Sequence, residues 1–557
     1  MAPLSPLLAP LSLLLLLLLF FFLTPTSSSS PNSTTTTTTT TTSSATTTTT
    51  TTTAAVVLHN LSSIETICER TPFPGPCVDS LKLDPVLAAP QHALFSLALR
   101  SLSAAASAAA DLSSLLAYAS ANPALVAAPQ RGALADCAEL HAATISSLSL
   151  SAALLSGGAA SALPTGRAHL AAALANRATC LDGLAGARGP LAPVLADAFS
   201  SAYALVANSL ALLPRTTPAA AAPHQSRYGG HDDNGNNNNN DDSDYKVITV
   251  AKDGTGNFST IANAIAFAPN NSKERVIISV AAGVYEENVE VASYKPNIML
   301  IGAGDSTTVI SGKRSASENW TTFRSATLAV SGQGFLARDM TFRNTAGPAK
   351  GQAVALRVNA DLVAVYHCVI EGYQDTLYVH SGRQFYRECD IYGTIDFIFG
   401  DAAVVFQGCR IIVRKPIPGQ SNVITAQSRE DPHRDTGISI QNCSIVASDE
   451  LRSSNLSVKT YLGRPWKPYS RTVYIKSYMD DIVDPAGWTE WPGSQILDKL
   501  YYGEYKNRGP GSRVGARVTW PGHHVMDYRD ATNFSVSNFI RDDEWLNSTS
   551  FPYDKNI

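Results

Sequence analysis

The chain has 557 residues, a formal net charge of -4 and 16% charged residues; at the usual domain size that suggests about three segments and at least one large core. The near-neutral balance shows no sign of the basic face that nucleic-acid binding needs, and argues against such a partner. It says nothing about the sign of one local cleft.

Leu11 to Leu23 is an almost unbroken run of Leu and Phe. That length suits the apolar core of a secretory signal and is short for a membrane span. No Lys or Arg precedes it, and counting from Leu4 lengthens the run but takes in Pro6 and Pro10. Residues 1–23 therefore read as a cleaved signal peptide, with an uncleaved anchor as the alternative; a membrane is a partner only in the second case. Both readings send the rest of the chain into the secretory pathway, and the first predicts a secreted protein. Residues 24–57 are dominated by Ser and Thr, cannot bury apolar area, and are expected to be disordered, either O-glycosylated or a plain spacer. N-x-S/T sequons at Asn60, Asn257, Asn270, Asn319, Asn455, Asn533 and Asn547 fit a glycoprotein. Asn442 also matches, but adjoins Cys443 and is expected to be too buried for modification.

Residues 58–213 are rich in Ala, Leu and Ser. Leu134, Cys137, Leu140, His141 and Ile145 recur at helical spacing. Breakers at Pro72–Pro76, Asn122–Pro123 and Gly157–Gly158 divide the segment, which predicts an all-α four-helix bundle. His92, His141 and His169 are isolated and read as structural or surface residues. Residues 214–244 form a linker ending in an Asn/Asp tract.

Residues 245–557 have a different texture: short β-rich runs such as Lys246–Val250 and Val276–Val280, separated by Gly, Asn and Asp. Cys368, Cys389, Cys409 and Cys443 each sit in a similar short strand, the first three separated by 21 and 20 residues, and Asp339-Met340-Thr341-Phe342 resembles an earlier copy. A β-rich repeat of that period predicts a solenoid whose equivalent positions stack about 4.8 Å apart. Gln352, Gln374 and Asp396 are spaced by 22 and 22, and Asp375 precedes Asp396 by 21. The coil period then gathers two carboxyls and two carboxamides on one face, although a solvated polar ladder would show the same pattern. Neighbouring carboxyls resist joint ionisation, so one keeps its proton while the other is charged. Carboxamide N–H groups can stabilise an oxyanion. These parts serve ester hydrolysis through an acyl-enzyme or glycoside hydrolysis, and the residues alone do not separate the two.

Longer motifs add a resemblance. Gly372-Tyr373-Gln374-Asp375-Thr376-Leu377-Tyr378, Gly393-Thr394-Ile395-Asp396-Phe397-Ile398-Phe399-Gly400 and Leu462-Gly463-Arg464-Pro465-Trp466 closely resemble the plant pectin methylesterases. Gly351-Gln352-Ala353-Val354, Pro485-Ala486-Gly487-Trp488 and Val250-Ala251-Lys252-Asp253-Gly254 match as well. The resemblance covers about Tyr245 to the C-terminus. It implies an all-β right-handed parallel β-helix that removes methyl groups from cell-wall pectin, with no metal or organic cofactor. It further implies Asp396 as nucleophile, Asp375 as proton donor and then base, Gln352 and Gln374 as oxyanion donors, and Arg464 holding Asp396. Thr322 and Trp466 would contact substrate together with Gln352 and Arg464, while Tyr378, Phe399 and Trp488 are either cleft aromatics or core. The helical segment resembles the family's inhibitor-like pro-region through Cys68 and Cys77, Leu134-Ala135-Asp136-Cys137-Ala138-Glu139-Leu140 and Ala178-Thr179-Cys180-Leu181-Asp182-Gly183. That implies disulfides Cys68–Cys77 and Cys137–Cys180 and an autoinhibitory contact within or between chains. Cys368–Cys389, on adjacent coils, is a further expected bridge, with Cys409–Cys443 behind it.

The sequence also departs from the family. Only lone Arg215 and Arg227 stand where a paired basic processing motif is usual, Asp401 replaces an Asn near the nucleophile, and Ala281 replaces a common Lys. Asp401 would raise the pKa of Asp396 if it faced it. Rival readings are a pectin-gripping regulatory protein and a glycan-cleaving β-helix enzyme. Asp435-Thr436-Gly437 matches the aspartic-protease tripeptide without a second copy, and His523-His524 lacks a metal-ligand partner and reads as a surface turn.

Overall fold

The computed structural model describes residues 64–81, 93–122, 124, 130–185, 191–215, 247–454, 457–493 and 496–557. The expected signal segment, the Ser/Thr tract, nearly all of the linker, His92, Pro123, Asn60 and Asn455 lie outside the described residues.

The helical part begins with α1 (Pro74–Leu81) and continues with α2 (Ala93–Ala121), α3 (Arg131–Ser156), α4 (Leu163–Leu184) and α5 (Leu191–Leu212). In α3, Leu134, Cys137, Leu140, His141, Thr144, Leu148, Ser151 and Leu155 are buried, as a three-and-four period requires. The helix stops at Gly157–Gly158, where Gly158 adopts a φ of 66°, and Pro164 sits in the first turn of α4. Helices α2, α3 and α5 are apolar and long enough to span a membrane by composition alone. Here they pack as a bundle, α3 on α4 and α2 on α5. His141 is a core residue: its Nε2 lies 2.8 Å from Ala109 O and its Nδ1 3.2 Å from the Tyr203 hydroxyl, and burial lowers its pKa. Disulfides join Cys68 to Cys77 and, across α3 and α4, Cys137 to Cys180, with Cα separations of 5.6 and 4.8 Å.

From Ile248 onward the chain forms a parallel β-helix of three sheets with 11, 7 and 8 strands. The seven-stranded sheet carries the site. Its strands are β1 (Val289–Val291), β2 (Leu328–Val330), β3 (Leu356–Asn359), β4 (Leu377–Ser381), β5 (Ile398–Gly400), β6 (Asn422–Gln427) and β7 (Thr460–Gly463), paired in that order. Inward Val, Ile, Leu and Phe side chains fill one continuous core. The helix Ile261–Phe267 packs at the N-terminal end, its first N–H groups capped by the Glu287 carboxylate at 3.0 Å each. Near the C-terminus, Trp545, Leu546 and Phe551 cover the eleven-stranded sheet through Leu336, Phe385 and Val405.

The Cys repeat is a true coil repeat. Thr341, Val369, Asp390, Arg410 and Ser444 pair in register, so the residues before them, Met340, Cys368, Cys389, Cys409 and Cys443, stack inside. The turn before each has positive φ: Asp339 57°, His367 52°, Glu388 52°, Gly408 67° and Asn442 52°. The expected Cys368–Cys389 bridge is absent, as is Cys409–Cys443; all four are buried free thiols. In-register parallel strands hold their Cβ vectors side by side about 4.8 Å apart, whereas a disulfide needs Cβ atoms about 3.5–4.5 Å apart and sulfurs turned toward each other. Alkylation of the denatured chain without reductant should therefore count four thiols among the eight cysteines; a count of two would mean a bridge in the column. Two smaller readings also change. Asn442 is exposed rather than buried. His523–Val525 is a strand rather than a turn, with His523 Nε2 3.4 Å from Glu504 Oε1.

Candidate active site

The register places the two carboxyls. Leu377 of β4 pairs with Ile398 of β5, so Asp375 and Asp396, each two residues earlier, occupy equivalent turns on adjacent coils. Both turns are left-handed, with φ of 60° and 49°, a costly conformation that non-glycine residues hold where the surroundings enforce it. Gly372 and Gly393, three residues before each Asp, make the turns possible. A Cβ on Gly393 would lie 2.1 Å from Phe397 Cβ, and one on Gly372 2.8 Å from Thr376 Oγ1. The backbone N–H of Asp375 donates to Ile395 O at 3.0 Å and ties the coils together.

Asp375 and Asp396 are 8% and 5% exposed and line a cavity of about 350 Å³ with Gln352, Gln374, Thr322, Arg464 and Trp466. Arg464 follows β7 and reaches back over two coils. Its Nε donates to Asp396 Oδ1 at 2.9 Å and its Nη2 to Oδ2 at 2.6 Å, a bidentate pair. Burial raises the pKa of both carboxyls. For Asp375 the Asp396 charge adds to burial and the group is held well above its ordinary value. For Asp396 the Arg464 hydrogen bonds and charge oppose burial. These surroundings favour Asp375 over Asp396 as the proton holder of the pair.

This asymmetry has a stability signature. A folded-state pKa raised above 3.8 means the native chain binds more protons than the unfolded one, so stability falls as pH rises from about 4 through the raised value. Asp375→Asn cannot titrate. It should melt higher than the parent at pH 7 and show a flatter Tm-against-pH curve, measured by thermal denaturation across pH. An unchanged slope would contradict the assignment.

Tyr378 and Phe399 also line the cavity, stacked with centroids 4.2 Å apart. Trp488 does not: it is 1% exposed, stacks on Tyr502 at 4.1 Å and donates to Glu504 at 3.3 Å. The cleft tryptophan missed in the sequence is Trp491, three residues on. It stacks with Trp466 at 6.2 Å, and the Arg464 guanidinium lies 4.5 Å from its ring centroid. Its W-x-x-W spacing with Trp488 is the one visible signal, and nothing in it says which indole faces out. Asp401 points away from the pair: it is buried and bound by Arg434 Nη1 at 2.5 Å, Thr436 Oγ1 at 2.5 Å and Gln427 Nε2 at 3.1 Å. It is not among the groups that shift Asp396.

The fourth wall comes from the bundle. Asp136 of α3 and Thr179, Asp182 and Gly183 of α4 line the same cavity. Arg324 Nε meets Asp136 at 2.6 Å and Arg324 Nη2 meets Glu139 at 2.8 Å. Thr179 Oγ1 lies 3.1 Å from the Tyr378 hydroxyl and 2.9 Å from His380 Nε2. Lys467 Nζ bonds Asp182 at 2.8 Å, and Leu140 packs among Phe323, Tyr378 and Phe399. Burial, against the pull of Thr321 and Arg324, pushes Asp136 up to about 6. Farther along, Arg177 reaches Glu430 at 3.4 Å and Arg167 reaches Asp435 at 2.7 Å. Asp435 of the protease-like tripeptide is thus a contact residue.

Residues 247–543 match the family profile "Pectinesterase", and residues 62–212 match "Plant invertase/pectin methylesterase inhibitor". The chain is 52% identical over 515 residues to the Arabidopsis thaliana protein named probable pectinesterase/pectinesterase inhibitor 12, covering 89% of this chain and 94% of that one. It is 42% identical over 514 residues to probable pectinesterase/pectinesterase inhibitor 61 of the same plant, covering 88% and 86%. Among solved structures, a pectin methylesterase from carrot superposes with a TM-score of 0.55 at 50% identity, covering 56% of this chain and 98% of that one. Two stacked carboxyls in a parallel β-helix, together with these matches, make the chain a member of the pectinesterase family, with a pectin methylesterase region preceded by an inhibitor-like one.

Proposed function

We propose that Asp396 attacks the C6 methyl-ester carbonyl of a galacturonate unit in methylated homogalacturonan. The carbonyl oxygen becomes an oxyanion, which the carboxamide N–H groups of Gln352 and Gln374 stabilise. Asp375 gives its proton to the departing methoxy oxygen, the C–O bond breaks and methanol leaves. The acyl-enzyme on Asp396 is then attacked by water as Asp375, now a carboxylate, takes the water proton. Release of the galacturonate carboxylate restores ionised Asp396 beside Arg464. Thr322, Trp466 and Trp491 border the space for the sugar rings. The observation that carries this reading is the unequal pair: a buried Asp375 with its pKa held above the ordinary value, one coil from an Asp396 gripped by a bidentate arginine.

The bundle acts as an autoinhibitor, because Asp136, Thr179 and Asp182 stand where substrate would enter. The N-terminal apolar run, the sequons and the two disulfides support delivery through the secretory pathway to the cell wall. Methanol release from methylated pectin tests the catalytic reading, measured on residues 245–557 and on the same fragment carrying Asp396→Ala. The parent fragment should be active and the variant inactive. A folded fragment that releases no methanol would end the reading, and reducing ends without methanol would favour glycan cleavage.

A further inference from the structure

A second cavity, of about 220 Å³, lies where α4 and Arg215 meet the β-helix. Five arginines line it: Arg167, Arg215, Arg383, Arg471 and Arg541. Arg383 is already neutralised, by Asp361 at 2.7 Å and by Glu544. Arg167, Arg215 and Arg471 instead share one lining carboxylate, Asp435, among the described residues. Arg167 Nε bonds Asp435 Oδ2 at 2.7 Å, and Arg215 Nε stands 3.7 Å from Oδ1.

Arg471 is the group without an ionic partner. Its Nε donates to Thr436 O at 2.6 Å, and its guanidinium carbon sits 5.7 and 5.5 Å from the Phe534 and Phe539 ring centroids. Its two terminal amino groups have no hydrogen-bond acceptor among the described residues. Burial, and then the charge of Arg429, lower its pKa against the opposing charge of Asp435. A planar fork with free donors facing a half-enclosed cavity matches the geometry of a bound oxyanion. The volume is below that of a drug-sized pocket, which suits one small anion or the acidic end of a sugar chain.

We propose that this cavity is an oxyanion-binding site, separate from the catalytic cleft, that takes a carboxylate or phosphate group against Arg471. Because Arg167 belongs to the bundle and Arg471 to the β-helix, the occupant ties the two together. The anion could be inorganic phosphate or the uronate end of de-esterified pectin. Isothermal titration and thermal shift on the full chain at low salt, with inorganic phosphate, digalacturonate and the dimethyl ester of digalacturonate, distinguish them. We expect saturable binding and a higher Tm with at least one anion and neither with the ester. Arg471→Gln should weaken binding by at least about tenfold, the scale of a charge-assisted hydrogen bond. If that variant fails to fold, the exposed Arg215→Gln carries the same expectation. Trp466→Ala, in the cleft, should leave the affinity unchanged. Binding of digalacturonate alone would identify a uronate site, and binding of phosphate alone a site for inorganic oxyanions. No saturable response to either anion, undiminished binding in Arg471→Gln, or loss in Trp466→Ala would overturn the proposal; the last would place the anion in the cleft.

Discussion

Asp396→Ala in residues 245–557 should lower kcat for methanol release by about 10⁴- to 10⁶-fold, the range seen when an acyl-transfer nucleophile is removed. Asp375 is not expected to replace it: burial and the Asp396 charge hold its pKa above the ordinary value, and its turn lies one coil away. The substitution also leaves Arg464 beside Trp491 without its carboxylate. Breaking such a largely buried pair costs about 3 kcal/mol, so folding must be checked by thermal denaturation beside the assay. Asp396→Asn keeps the shape of the site and one acceptor oxygen, and should be more stable yet equally inactive. Retention of even a tenth of parent activity by a folded Asp396→Ala would rule out the covalent route.

The second large effect concerns the bundle. Glu139→Lys combined with Asp182→Lys, in the full chain, should raise methanol release by at least about tenfold, toward the rate of residues 245–557. Both changes lie on the helical part and leave the cleft chemistry intact. Glu139 stands 2.8 Å from Arg324 and 3.7 Å from Arg357, and Asp182 stands 2.8 Å from Lys467. Each partly exposed pair contributes only about 1 kcal/mol, but reversal turns attraction into repulsion at both ends of the contact. Asp136 gives the direction with pH. Its pKa in the contact is raised from 3.8 to about 6, so the covered state binds more protons than the open one, and its hold should weaken as pH rises through that window. Equal rates for parent and double variant, both well below the fragment, would mean that these contacts do not gate the cleft.

The carboxyl column is legible in the sequence because the coil period and the residue spacing coincide. The 21 residues from Asp375 to Asp396 equal the step from Cys368 to Cys389, and one number therefore served both. Gln352 was harder. It is not in register with Gln374; Ala353 is the residue that bonds Gln374 O, so its place on the same face depends on the turn, not on the period. Arg464 lies 68 residues from Asp396, across coils of unequal length, and only its motif pointed to it. The Cys368–Cys389 expectation had the correct neighbours and the wrong chemistry, because adjacency along a parallel ladder does not turn two sulfurs toward each other. Trp488 and Trp491 sit in a stretch without periodicity, where three residues decide between core and cleft. The roles of Asp136, Thr179 and Asp182 could not be read at all, since they arise from how one folded body rests on another.

The step from Cys409 to Cys443 takes 34 residues where the two before it take 21 and 20, yet the strands on either side still pair in register. The surplus leaves the solenoid as excursions, and one of them, running from Ser428 to Thr436, carries Glu430 and Asp435, the residues that meet Arg177 and Arg167. Recognition of the covering helices is thus partly housed on an appendage that can lengthen, shorten or change its charges without shifting the stacked turns by one position. Such an architecture lets a lineage re-tune what docks on this flank while the stacked turns stay as they are.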